Sequence, residues 1–157
     1  MNSYTKKQII EITELAGHEV QMYIGWPVGD PVVVPEVDPG KGRGKVRRYS
    51  AHNLIEFLII RELTKFGMTI ANVKFIMDFL SKYMKDKKLT SNVLKHKNIL
   101  HVIKIWPDKK SGDIEKVGYG FRVKEEAESA LSVKELEERD SVLIINYSRL
   151  VKIAFNQ

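Results

Sequence analysis

Between residues 53 and 66 the chain carries Leu54, Ile55, Phe57, Leu58, Ile59, Ile60, Leu63 and Phe66. On a 3.6-residue period these positions cover more than half the circumference of a helix, so the segment must be the central helix of a small domain, packed on most sides. Ser50 stands where an N-cap belongs. Gly67 should stop the helix and Thr69 should cap the next, in which Ile70, Val73, Ile76 or Met77, Leu80 and Met84 line one face to about residue 83. At roughly 1.5 kcal/mol or more per fully buried large aliphatic side chain, these two helices supply most of the core of the N-terminal half. Met68, Met77 and Met84 read as fillers of that core.

The segment leading into the central helix is its chemical opposite. Of residues 40–48, five are cationic (Lys41, Arg43, Lys45, Arg47, Arg48), three are glycine and none is acidic. Such a run repels itself in a core and has no apolar face, so it belongs at the surface. Its glycines permit positive φ and close approach of the backbone to a partner. Arginine in particular presents a rigid fork to phosphate oxygens. Taken alone, a basic run of this kind is usually a solvated charged loop. Here Val46, Arg47, Arg48 and Tyr49 alternate as a short strand does, and they enter a core helix directly. A basic hairpin followed by a core helix is the form of a DNA-binding wing.

Upstream, Thr5, Lys6, Lys7 and Gln8 have the form of a capping box. Ile9, Ile12, Leu15 and Ala16 follow at helical spacing, predicting a short amphipathic helix over 6–15 closed by Gly17. Residues 18–24 form a second, weaker helical piece, with Val20, Tyr23 and Ile24 on one side and His18, Glu19 and Gln21 on the other. Two short helices about a glycine-containing turn read as helix-turn-helix. Gly25, Trp26 and Pro27 break the second helix, and Gly29, Asp30 and Pro31 make a turn. Val32, Val33 and Val34 are the expected first wing strand, residues 35–45 the hairpin tip, and residues 46–49 the returning strand.

Past residue 84 the pattern changes. Residues 85–88 read as a linker, and residues 99–106 and 117–123 as two strands joined by the turn-rich run 107–113. A second capping-box pattern at Ser132 opens a short acidic helix. Residues 142–145 form a third strand, and Asn146 or Ser148 caps a last helix carrying Leu150, Val151, Ala154 and Phe155. The expected fold class is α+β: a winged helix-turn-helix of four helices and a β-hairpin over 1–84, then a small α/β segment over 89–157. Its three short strands cannot bury both faces of a sheet unaided. Ile99, Val102, Ile103, Ile105, Val142, Ile144, Ile145 and Phe155 therefore suggest pairing between two chains, or a layer folded back on the apolar helices of a monomer.

A composition of 43% hydrophobic and 29% charged residues marks a globular chain rather than a disordered one. The N-terminal residues lack the apolar core of a signal peptide, and no apolar run is long enough to cross a bilayer, so a cytoplasmic location is expected. Absence of cysteine removes disulfides, iron–sulfur clusters and thiol nucleophiles. The net charge of +6 is uneven: residues 125–140 hold seven acids against Lys134 and Arg139, a local −5 that leaves +11 elsewhere. A basic body with one acidic strip suits nucleic acid better than a small acidic substrate. His18, His52, His96 and His101 have no ligand-like partners at helical spacing, and the acidic strip has no apolar setting to raise a carboxylate pKa. Ser129 and Ser148 lie in no nucleophile context, and Trp106 before Pro107 is expected to pack over a hairpin. No catalytic residue, metal ligand or cofactor is expected.

Taken in order, the segments resemble the winged helix-turn-helix of the MerR family of transcription regulators. The resemblance spans residues 4–83. It rests on Arg47, Arg48, Tyr49 and Ser50 running into residues 53–57, on Arg61, Glu62 and Leu63, and on the corner Phe66, Gly67, Met68, Thr69, Ile70. It implies a dimeric protein that binds double-stranded DNA, with RNA polymerase as a further partner and the nucleoid as its location. Carried over, Thr5 and Lys6 would meet backbone phosphate, and His18, Gln21 and Tyr23 would fall on the reading helix. Lys41, Arg43, Lys45, Arg47 and Arg48 would be wing contacts, and Tyr49 either packs under the wing or touches phosphate. The chain departs from the family in three ways. Its second helix lacks the usual arginine, residues 26–30 lengthen the approach to the wing, and the long dimerising helix is broken from Lys85. Without cysteine, a thiolate metal sensor is excluded. The alternatives are an architectural, excisionase-like factor that bends DNA, and a protein-interaction module without DNA binding.

Overall fold

The structure, a computed structural model, describes residues 3–25, 29–37, 46–84, 87–95, 99–107, 114–123 and 143–155. The chain divides into two compact units, Met1–Met77 with Ala154–Gln157, and Asp78–Ile153.

The first unit is built around α3 (Ala51–Lys65), as its apolar circumference requires. Leu54, Ile55, Phe57, Leu58, Ile59, Ile60 and Leu63 are all fully buried. Ser50 caps the helix: its Oγ accepts from Asn53 N at 3.1 Å, and Asn53 Oδ1 accepts from Ser50 N at 3.2 Å. The helix ends where Gly67 takes φ +73°, and Met68 N donates to Leu63 O at 3.3 Å. That left-handed turn is a position glycine occupies without strain. Thr69 Oγ1 then accepts from Asn72 N at the start of α4 (Ile70–Met84).

At the other end of the unit, β1 (Ser3–Thr5) runs straight into α1 (Lys6–Thr13). Thr5 and Gln8 form the expected reciprocal cap, Thr5 N donating to Gln8 Oε1 at 2.9 Å and Gln8 N to Thr5 Oγ1 at 3.3 Å. The helix stops earlier than its periodicity suggests. Glu14 turns left-handed at φ 59° with its N–H on Ile10 O, and Gly17 opens α2 (Gly17–Tyr23) instead of closing α1. The cause is a second cap: Ala16 N donates to Glu19 Oε2 at 2.7 Å, which starts the next helix there.

The expected first wing strand is not formed. Val32 N and Val33 N both donate to Tyr23 O, at 2.8 and 2.9 Å, and so close the end of α2. Val34 O accepts from Asn53 Nδ2, and Glu36 N donates to Asn53 Oδ1, both at 2.9 Å. With these groups committed to α2 and α3, the trio has no ladder to offer. The returning strand is shorter than expected, β2 (Arg48–Ser50), and its antiparallel partner is β1. Of the expected hairpin tip at 35–45, residues 38–45 lie outside the described residues, as does Trp26.

In the second unit, Lys87 and Lys88 begin a helix, α5 (Lys87–Lys95), where a linker was expected. Beyond it β3 (Ile99–Pro107) is the central strand of an antiparallel sheet ordered β4-β3-β5, with β4 (Ile114–Val123) and β5 (Leu143–Asn146) on either side. Ile103 faces Tyr119 on one neighbour and Ile145 on the other. His101, Ile103 and Ile105 are buried on alternate positions, as a half-covered strand demands. Trp106 packs over the hairpin against Gly118, where a Cβ would come within 2.9 Å of the indole, and Lys116 Nζ lies 5.1 Å from the ring centroid. Asn146 Oδ1 caps α6 (Tyr147–Phe155) through Arg149 N at 3.0 Å. Ser148 Oγ accepts from His101 N at 2.9 Å, tying that helix to the sheet. The expected acidic helix at 132–140 lies outside the described residues.

Candidate nucleic-acid interface

The β1–β2 ribbon links the two caps of the first unit. Ser3 lies opposite Ser50, Tyr4 opposite Tyr49, and Thr5 opposite Arg48. Thr5, the N-cap of α1, is thereby placed beside the exposed Arg48 of β2, although 43 positions of chain separate them. Lys6 is half-buried, and Arg47 is half-buried next to Arg48. Lys7 is exposed, and its contact with Glu11 at 3.9 Å joins two solvated side chains, too weak to withdraw its charge. Lys41, Arg43 and Lys45 lie outside the described residues.

On α2, His18 and Gln21 are three residues apart, about one helical turn, so they share a face, and both are exposed. Tyr23 does not join them. It is 2% exposed, and burial together with the charge of Glu19 holds its phenol above the ordinary range. Its carbonyl also receives Val32 and Val33, which anchors the end of α2. Tyr49 resolves in the same direction. Fully buried, it sets its ring edge-on to Phe57 at 5.7 Å between centroids. Burial raises its phenol pKa, while the positive charge of Arg47 pulls the other way. Of its two anticipated roles, Tyr49 takes the packing one.

A polar hub that local spacing could not show ties the loop before the basic segment to α3. Asn53, 1% exposed, accepts from Ser50 N and Glu36 N and donates to Val34 O and, at 2.8 Å, to Glu56 Oε2. Ser50 Oγ donates to Glu36 Oε2 at 2.5 Å. The loop at 34–36 is thus pinned to the first turn of α3 on one side of the basic segment, while β1 holds β2 on the other. The Ser50–Asn53 spacing signals a cap; the part played by Glu36 has no local signal.

Among the described residues no group of three His, Asp or Glu side chains could hold a metal, and no helix is long and apolar enough to cross a membrane. Residues 4–80 match the family model described as MerR HTH family regulatory protein. No curated protein matches the chain. The capped α1, the short α2, the basic segment and the apolar α3 with its Gly67 corner all fall inside the matched range. Through residues 4–80, this chain belongs to the MerR family of helix-turn-helix regulatory proteins.

Proposed function

We propose that the protein is a sequence-specific DNA-binding transcription regulator acting as a homodimer. Residues 1–84 form the DNA-binding domain, and residues 89–157 dimerise or respond to a signal. Arg47 and Arg48 meet phosphates together with Lys41, Arg43 and Lys45 of the wing, Thr5 and Lys6 meet the backbone at the start of α1, and His18 and Gln21 face base edges. The observation that carries this reading is the pairing of Thr5 with Arg48, because it brings the helix-turn-helix start and the wing base to one place. The +11 charge outside residues 125–140 supports it electrostatically. RNA polymerase is the partner such a regulator addresses, and the cytoplasmic nucleoid is where it acts.

One observation favours the architectural reading as a rival. α2 has seven residues, about 10 Å of helix, and its polar face offers only His18 and Gln21 as base readers. Affinity in such a protein comes mainly from phosphate contacts. Genomic footprinting separates the two. A regulator protects a few promoter sites made of two half-sites roughly one helical turn, about 34 Å, apart. Protection scattered across the genome without a shared motif would overturn the regulator in favour of a DNA-bending factor.

A further inference from the structure

The last residues of α6 belong to the first unit, although the helix begins in the second. They meet the β1–β2 ribbon at its middle. Tyr4 Oη donates to Ala154 O at 2.6 Å in a buried hydrogen bond, spanning 150 positions of chain. Beside it the Phe155 ring stands edge-on to His52 in the first turn of α3, with centroids 6.1 Å apart. His52 Nδ1 is buried without a hydrogen-bond partner.

Tyr4 sits one rung along the ribbon from the Thr5–Arg48 pair of the proposed interface. It precedes Thr5, the N-cap of α1, and lies opposite Tyr49, the neighbour of Arg48, whose own ring is fixed on Phe57. The contacts form one chain: Ala154 to Tyr4, Tyr4 to Tyr49, Tyr49 to the core of α3. A three-residue ribbon has too few ladder bonds to hold its position alone. Resting on the DNA-binding reading, we propose that the end of α6 is a clasp that holds the ribbon where Thr5 and Arg48 can reach phosphate together. Tyr4 and Phe155 are then positioning residues for DNA binding that touch no DNA.

The test uses the full-length chain with Tyr4→Phe, Phe155→Ala and Phe155→Leu, well below the melting temperature of each. Two readouts are followed: amide hydrogen exchange at Arg48, Tyr49 and Ser50, and duplex affinity against salt concentration. Tyr4→Phe removes one hydroxyl and should speed exchange in β2 and weaken DNA binding roughly fivefold, the worth of one buried hydrogen bond. Phe155→Ala should cost tenfold or more in affinity, and Phe155→Leu should restore most of it. The slope of log affinity on log salt should fall by about 0.9 for each phosphate contact released. A merely structural role would lower the melting temperature and leave that slope unchanged. Wild-type affinity, slope and β2 exchange in Tyr4→Phe and Phe155→Ala would overturn the clasp alone. A wild-type chain that binds no duplex would overturn the DNA-binding reading, and the clasp as a DNA device with it. Should Phe155→Ala fail to fold, Tyr4→Phe still decides the matter.

Discussion

Replacing Asn53 with Ala should lower the stability of the protein by about 2–3 kcal/mol, with a fall in melting temperature on the order of 10 °C. The side chain is buried and its amide serves four partners: Ser50 N, Glu36 N, Val34 O and Glu56 Oε2. Alanine removes all four at once. Val34 and Glu36 lie close enough to the surface to find water, which keeps the loss below the sum of four bonds. Asn53→Asp is the sharper variant. It keeps the acceptor for Ser50 N but sets a carboxylate against Glu56 and Val34 O, so part of its loss should be recovered at acid pH, where a protonated carboxyl again donates. Urea titration reads both, as a lower midpoint at unchanged slope. An unchanged midpoint in Asn53→Ala would show that the loop at 34–36 is not pinned through this residue.

The largest effect on binding is expected from the basic segment. Exchanging Arg43, Lys45 and Arg47 for Ala should weaken duplex binding by about 3 kcal/mol, more than a hundredfold, since each charge-assisted hydrogen bond to phosphate contributes about 1 kcal/mol. The loss should be nearly equal on all DNA sequences, because phosphate contacts carry no base information. The three residues are not equivalent for stability. Arg47 is half-buried, so its removal should lower the melt slightly, whereas Arg43→Ala with Lys45→Ala should leave it alone. Unchanged affinity in a triple variant that remains folded would remove the basic segment from the interface.

Strong local patterns were legible in the sequence. The apolar run of α3, its Ser50 cap, the Gly67 corner and the Thr5–Gln8 box all depend on residues within one or two turns of each other. The C-terminal strands could be read too, since alternation survives in β3 and β4. What could not be read depends on distant partners. Val32, Val33 and Val34 have strand-like side chains, but Tyr23 O and Asn53 claim their backbone groups, and β2 pairs with the N-terminus instead. Nothing near Glu14 announces a non-glycine residue in the left-handed region. Of the residues assigned to DNA, Thr5 and Arg48 come together through a ribbon that neither segment announces, while Tyr23 and Tyr49 turn inward because an amphipathic tyrosine suits either side of a seven-residue helix or a three-residue strand. The return of α6 to Tyr4 had no sequence signal at all.

The central claim, that the basic segment and the start of α1 together grip duplex DNA, is tested most directly by the salt dependence of binding. Affinity of the full-length protein for a duplex should fall linearly in log–log form. The Thr5–Arg48 pair of the ribbon and the basic segment together offer several phosphate contacts, each worth about 0.9 in slope. The same titration with Arg43, Lys45 and Arg47 replaced should give a line shallower by about 2–3. A slope near zero, or no measurable binding at low salt, would contradict the account.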